Sequence, residues 1–301
     1  MDSKKPQKKQ LGSMRNWKVK SALNILRVEG VRSLVTETLR FLSLYYTPDK
    51  VIKSWLHRLA GTEWVMRNIQ GSWMLLNLKE GGINWDLYLN GIREPRATKY
   101  LQSILQKDWW VVDIGANVGY YALQEGRRCE TVSAIEPDPH NFAQLKLNLA
   151  LNPGLNVCAT NVAIGDKDGE IRFDTSHPSN WRRVSETGDI KVLVEKLDSF
   201  FGSRPDFLRM DTEGYELKIL EGAKEVMRKW KPGMFIEVHN FMMDARKFYE
   251  LLAQFDYSII KSFVMAPNRE GPTGKVTDIL KDEKAYKVLV NGSIASHIFI
   301  K

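Results

Sequence analysis

The sequence predicts an α/β protein, a mostly parallel seven-stranded sheet with helices on both faces, preceded by a helical N-terminal extension. Three observations carry this reading. Short apolar, β-branched-rich runs at 109–112, 131–135, 207–210 and 234–238 suit strands buried on both faces. Stretches with apolar residues at three- and four-residue steps alternate with them, as helices of a βα rhythm would. Acids and glycines gather where each strand should stop, at the edge where an open α/β sheet holds its ligands.

In chain order, three segments are expected: a basic amphipathic extension at 1–60, a hairpin with a lead-in helix at 61–108, and the main domain at 109–301. The 301 residues are 43% hydrophobic, enough for a large core. The net charge of +8 is uneven, because Lys4, Lys5, Lys8, Lys9, Arg15, Lys18 and Lys20 crowd the start. From Trp17 to Leu59 apolar residues recur at helical spacing with Lys20, Arg27, Arg32 and Arg40 between them. Two readings stand side by side: a segment resting on an anionic membrane with Tyr45, Tyr46 and Trp55 at the interface, or a helical lid packed on the core. Cys129 and Cys158 fit no metal spacing and suggest buried, inert thiols in a reducing compartment. With no secretory pattern and no apolar run near the ~18 residues of a span, the expected location is cytoplasmic, with peripheral contact at the inner membrane surface under the first reading.

Residues 67–78 have strand character around Gly71-Ser72, and 96–105 reads as the lead-in helix. Glu94, just before Pro95, either starts that helix or reaches over a bound cofactor.

The central run, 109–119, reads WWVVDIGANVG. Glycines at a strand-to-helix turn allow positive φ and close backbone approach to a ligand. A dinucleotide fingerprint would be G-x-G-x-x-G. Here Gly115 and Gly119 instead enclose Ala116, Asn117 and Val118, with Asp113 two residues ahead. Methyltransferases that bind S-adenosylmethionine use this acid-x-G-x-x-x-G form, since the cofactor's amino-acid tail needs an acid for its ammonium and loop N–H groups for its carboxylate. An ordinary tight turn of an α/β protein is the bland alternative. Glu136 ends the second strand 21 residues after Gly115, against about 20 for a ribose-binding acid. Asp138 and Pro139 are the better N-cap and first helical residue, which leaves Glu136 for a ligand. Together these features describe the nucleotide-facing corner of a Rossmann-like sheet.

Beyond a helix at 141–151 and a third strand at 155–159, Asn161, Val162 and Ala163 fall where an adenine would rest. The turn at 166–169 returns as a strand at 170–173, expected as a hairpin beside the third strand. The aperiodic stretch 175–189 holds His177, Trp181, Arg182 and Arg183, and Trp181 and Arg182 are the candidates for contact with a substrate. The fourth strand ends in Asp211, Glu213 and Glu216, followed by one helix to Trp230. The fifth delivers Glu237 and His239 to the same edge, where an acid and a histidine can act as base and orienting partner. A further helix at 248–255, strands at 257–263 and 297–300, and a polar loop at 266–282 complete the chain.

Taken together, DIGANVGYY at 113–121, EPD at 136–138, NVAIGD at 161–166, DTEGYE at 211–216 and EVH at 237–239 resemble the FkbM-type methyltransferase family, in order and spacing, from about Gly91 to Phe255. The resemblance implies a class I methyltransferase fold using S-adenosylmethionine, generally on hydroxyl groups of sugars, glycans or secondary metabolites. It places Asp113, Gly115, Asn117 and Gly119 around the methionine part, Glu136 on the ribose, Asn161 to Ala163 near the adenine, and Asp211, Glu213 and His239 by the transferred methyl. An alcohol acceptor must lose a proton, so a carboxylate or neutral histidine within reach is needed. The same acids offer a divalent-cation site as the less favoured alternative. A nucleic-acid methyltransferase is disfavoured because Met210-Asp211-Thr212-Glu213 is not an N-P-P-Y or D-P-P-Y motif. A cofactor-binding or membrane-associated scaffold without activity is the non-enzymatic rival.

Overall fold

The apolar run that ends in Asp113 becomes the middle of the sheet. The computed structural model describes residues 61, 63–177, 181–200, 202, 204–264, 269–290 and 296–301. The chain divides into two compact units, Met1–Val65 and Met66–Lys301, and the second contains the main sheet. The helices expected over 1–60, and membrane contact through them, lie outside the described residues. Among the described residues no helix is long and apolar enough to cross a membrane.

In chain order the strands are β1 (Trp64–Ile69), β2 (Ser72–Asn77), β3 (Trp110–Ile114), β4 (Thr131–Ile135), β5 (Val157–Thr160), β6 (Ala163–Gly165), β7 (Gly169–Asp174), β8 (Arg183–Val184), β9 (Ile190–Lys196), β10 (Phe207–Met210), β11 (Gly233–Val238), β12 (Ser258–Val264), β13 (Arg269–Glu270), β14 (Gly274–Lys275) and β15 (Ser296–Ile300). The helices are α1 (Gly82–Asn90), α2 (Pro95–Ile104), α3 (Tyr120–Gly126), α4 (Pro139–Ala150), α5 (Leu197–Phe200), α6 (Glu216–Glu221), α7 (Lys224–Trp230), α8 (Ala245–Gln254), α9 (Val276–Lys281) and α10 (Glu283–Val290).

The large sheet runs β13-β12-β15-β11-β10-β3-β4-β5, with β14 paired to β12. From β3 the chain moves outward to β4 and β5, then crosses β3 to lay down β10 and β11, all parallel. β15 is antiparallel to both neighbours, β11 and β12. Val111, Val112, Leu208, Met210, Met234 and Ile236 are all buried, which is why these strands read as continuous apolar runs. Where chain direction reverses across the sheet, the loops after β3 and β10 diverge and leave a crevice at the carboxyl ends, a topological switch point. The fold is the class I methyltransferase arrangement that the sequence predicts. Asp138 caps α4 by accepting from His140 N at 2.9 Å, with Pro139 in the first turn, also as expected.

Four expectations are corrected. β7 does not lie beside the third strand: β5 is the sheet edge, and β7 pairs with β9 and β8 in a separate four-stranded sheet, β6-β9-β7-β8. The single helix to Trp230 is two, α6 and α7, because Gly222 passes so close to β6 that a Cβ there would sit 1.9 Å from Gly165 O. The polar segment 266–282 includes β13, β14 and α9, whose Val276 and Ile279 are buried. Of the two thiols, Cys129 is buried, but Cys158, on edge strand β5, is exposed.

Candidate active site

A cleft opens at the switch point. Gly115, Ala116 and Asn117 form one wall, Asp211, Thr212 and Glu213 the other, with Glu136, Val162, Ala163 and Ile164 at one end and Arg93, Tyr120 and Tyr121 also lining it. Parallel register sets Arg209 against Asp113 and Met210 against Ile114, so the two loops leave the sheet side by side. Gly115 has φ +82°, and a Cβ on it would lie 2.0 Å from Asp211 O. No other residue fits where these loops touch. Gly119 serves packing instead: its Cβ would meet Leu145 Cδ1 at 2.7 Å, and it does not line the cleft.

Asp113 is fully buried and does not itself line the cleft; Arg209 Nη1, from a residue that does, is 3.1 Å from its Oδ1. Arg209 Nη2 also reaches Asp211 Oδ2 at 2.9 Å, Nη1 donates to Gly115 O at 3.3 Å, and the guanidinium lies 4.0 Å from the Tyr121 ring centroid. A charged residue inside the four-residue apolar strand FLRM is the signal that could have revealed this pair, because a buried arginine requires acids. The backbone N–H groups of the glycine loop are already committed. Those of Gly115 and Ala116 go to Ile135 O, that of Asn117 to Glu136 Oε2, that of Val118 to Asn117 Oδ1 and that of Gly119 to Ala116 O.

Glu136 lines the cleft, but it is not without partners, as the sequence had suggested. Its oxygens accept from Asn117 N at 2.7 Å and Asp138 N at 2.9 Å. Burial pushes its carboxyl up to about 8, against the pull of those two N–H groups. Each carboxylate oxygen has a second lone pair, so the group retains acceptor capacity towards the cleft. Asn161 takes the loop-bracing role: its Nδ2 donates to Glu136 O at 2.8 Å and Pro137 O at 3.0 Å. Val162 and Ala163 line the cleft while Asn161 does not.

Asp211, Glu213 and His239 come together, with polar atoms all within 4.8 Å of one another. Glu216 organises them. Its Oε1 accepts from Thr212 N at 3.2 Å and Gly214 N at 3.3 Å, closing the β10–α6 turn, and lies 2.9 Å from His239 Nδ1. His239 Nε2 faces Glu213 Oε2 at 3.3 Å. Burial works against a charge on His239, but Glu216, Glu237 and Asp211 outweigh it and push the imidazole up to about 10. The surrounding acids thus favour the imidazolium form of His239, whose two ring nitrogens face Glu216 and Glu213. Glu213 is raised as well, but towards its neutral form: burial, then the neighbouring Asp211, push it up to about 8 although His239 pulls it down. It lines the cleft from a left-handed backbone, φ 51°, an arrangement that stores about 1–3 kcal/mol and gathers at functional sites. Asp211, though buried, is held below the usual carboxylate range by Arg209 and Arg93.

Glu94 does not line the cleft. It joins a second cluster, in which His297 Nε2 is 3.0 Å from Glu94 Oε2 and 3.4 Å from Glu237 Oε2. Tyr121 OH donates to Glu94 at 3.1 Å and Arg93 Nη2 pairs with it at 3.0 Å. Trp181 is 59% exposed and does not line the cleft, whereas Arg182 does, held by Asp138 at 2.6 Å and by Glu80. Two charged residues of the cleft, Arg93 and Arg209, lie outside the sequence motifs, and Tyr120 and Tyr121 stood in one without an assigned role.

Residues 113–259 match the family described as the Methyltransferase FkbM domain. The chain is similar to hexuronic acid methyltransferase AglP of Haloferax volcanii, 26% identical over 152 residues that cover 48% of this chain and 62% of AglP. It is similar to 2-O-methyltransferase NoeI of Sinorhizobium fredii, 26% identical over 207 residues, 56% of this chain and 83% of NoeI. A crystal structure of methyltransferase FkbM from Methylobacillus flagellatus is similar at 16% identity and a TM-score of 0.40, over 93% of this chain and 60% of that one. The chain thus spans less than two thirds of AglP and of that crystallised protein. Residues 113–259 are thus an FkbM-type methyltransferase domain by similarity.

Proposed function

We propose that the protein is an S-adenosylmethionine-dependent O-methyltransferase acting on a sugar or glycan hydroxyl, with Glu213 as the group that takes the proton. One observation carries the reading: a ribose-type acid, Glu136, and a near-neutral carboxyl, Glu213, line one cleft around the Gly115 loop. The residues present suit the cofactor. Apolar Ile135, Val162 and Ile164 offer a surface for a base, and Glu136 has lone pairs for ribose hydroxyls. When bound, S-adenosylmethionine supplies an electrophilic methyl on a sulfonium. The chain's part is to orient an oxygen nucleophile and accept its proton. A base works best with its pKa near the operating pH, which favours Glu213 over the more acidic Asp211 and over cationic His239. The names of AglP and NoeI, a hexuronic acid methyltransferase and a 2-O-methyltransferase, support the choice of a sugar hydroxyl.

Calorimetry on the full chain tests the cofactor. Micromolar or tighter binding of S-adenosylmethionine is expected, weakened roughly ten- to a hundredfold in Glu136→Ala by loss of the hydrogen bonds to the ribose. Tight binding of NAD with none of S-adenosylmethionine overturns the reading.

A further inference from the structure

Among the described residues, three guanidinium groups line the cleft: Arg93, Arg182 and Arg209. Two are spent on the protein. Arg209 bridges Asp113, Asp211 and Gly115 O, and Arg182 bridges Asp138, Glu80 and His177 O. Arg93 is held at one corner, Nη2 to Glu94 Oε1 at 3.0 Å, and a guanidinium carries five donors in a fixed fork. Its backbone N–H reaches Tyr120 OH at 3.3 Å, which sets it over the first turn after the glycine loop. An amino-acid tail in this cleft brings a carboxylate, and the loop N–H groups expected to receive it all have acceptors already. Building on the proposed cofactor, we propose that Arg93 is the carboxylate subsite, its fork donating to the methionine carboxylate of S-adenosylmethionine. The ion pair with Glu94, itself fixed by His297 and Tyr121, positions the fork.

Decarboxylated S-adenosylmethionine keeps the sulfonium, adenosine and ammonium and lacks only the carboxylate, so calorimetry of the full chain with both ligands isolates the contact. The parent should bind S-adenosylmethionine about ten- to a hundredfold more tightly than the decarboxylated form. Arg93→Met should erase that difference by weakening S-adenosylmethionine alone, while affinity for the decarboxylated form stays within a fewfold. Arg93→Lys, which keeps the charge without the fork, should fall between and serves if the Met variant does not fold. Equal weakening of both ligands makes Arg93 a brace of the Glu94 cluster and overturns the proposal. So does a raised acceptor KM with unchanged S-adenosylmethionine affinity, which would assign Arg93 to an anionic acceptor. A parent that binds both ligands equally well removes the subsite while leaving the cofactor reading intact; a parent that binds neither removes both.

Discussion

Two clusters of similar composition, each a histidine among carboxylates, sit on adjacent parts of the sheet edge and are tuned to different ends. Glu237 opposes His297 across the β11–β15 register, Glu94 joins them from the start of α2, and the His297 side chain is only 2% exposed. His239, Glu213 and Asp211 use the neighbouring strand ends, but Glu213 lines the cleft with 19% of its side chain exposed. Both histidines are pushed up to about 10 by acids that outweigh burial. The carboxylates differ. Glu94 is driven far below the usual range, its burial overcome by Arg93 and His297, whereas Glu213 is raised to about 8. The His297–Glu94 pair is held out of the cleft, although Glu237 beside it is raised too, by burial and then by Asp211 and Glu94. A carboxyl short of cations at the rim of a cleft can exchange its proton.

The largest effect expected from this contrast is kinetic. Glu213→Gln should lower turnover by about 10²–10⁴, as loss of a general base does, with S-adenosylmethionine affinity unchanged within a fewfold. Asp211→Asn should cost turnover too, with some loss of stability because Arg209 keeps only Asp113. Steady-state kinetics on a sugar acceptor decide the matter. Unaltered turnover in Glu213→Gln would make this cluster as structural as the other.

Next comes stability at the sealed cluster. His297→Leu removes one member of a buried ion cluster and leaves Glu94 and Glu237 facing each other, at a cost of about 3–5 kcal/mol. Chemical denaturation measures it. A cost below ~1 kcal/mol would show that the acids simply take up protons there.

The pH dependence separates the two regions again, with a smaller effect. If Glu213 must be ionised, kcat/KM should fall about tenfold per pH unit below about 8 and level off above it, until His239 loses its proton near 10. For stability, the sign follows from the direction of each shift. His297 rises from 6.5 to about 10, so the folded state holds a proton that the unfolded chain releases. That contribution is complete below 6.5 and is lost as pH climbs through about 10. Glu213, raised from 4.5 to about 8, acts in the same direction over the lower window. A thermal-melt series should therefore show declining stability through alkaline pH, and the part above 6.5 should be shallower in His297→Leu.

The contrast also explains how far the sequence could be read. Strand cores were legible because apolar runs bounded by Asp113, Glu136, Asp211 and Glu237 leave little choice of period or endpoint. The Asp138 cap and Pro139 were legible because their chemistry is local. Partners set by register were not legible. Nothing near Asp113 in sequence says that Arg209, 96 residues on, will claim it, nor that Glu94 will meet His297 across 203 residues. The β7–β9 pairing failed for the same reason: the turn at 166–169 announces a reversal but not which strand lies next to it. The alternating Ile-Lys-Val-Leu-Val-Glu-Lys of β9 was the available clue.

The smallest effect expected is none, and it concerns the divalent cation that the acids of the open cluster suggest. A metal binds the lone pair of a neutral imidazole. His239 presents Nδ1 to Glu216 at 2.9 Å and Nε2 to Glu213 at 3.3 Å, and the acids around it push it up to about 10, so a metal must compete with a proton there. A cation entering between Asp211 and Glu213 would also meet Arg209, 2.9 Å from Asp211, and its like charge. The arrangement already supplies the positive charges that a metal would bring, on side chains. Chelation of the full chain with EDTA should therefore leave kcat/KM unchanged, and added Mg²⁺ should not restore Glu213→Gln. If EDTA abolishes activity and Mg²⁺ returns it, the His239 proton is displaced on metal binding, and the pH profile of the parent should then lose its fall below about 8 once Mg²⁺ saturates.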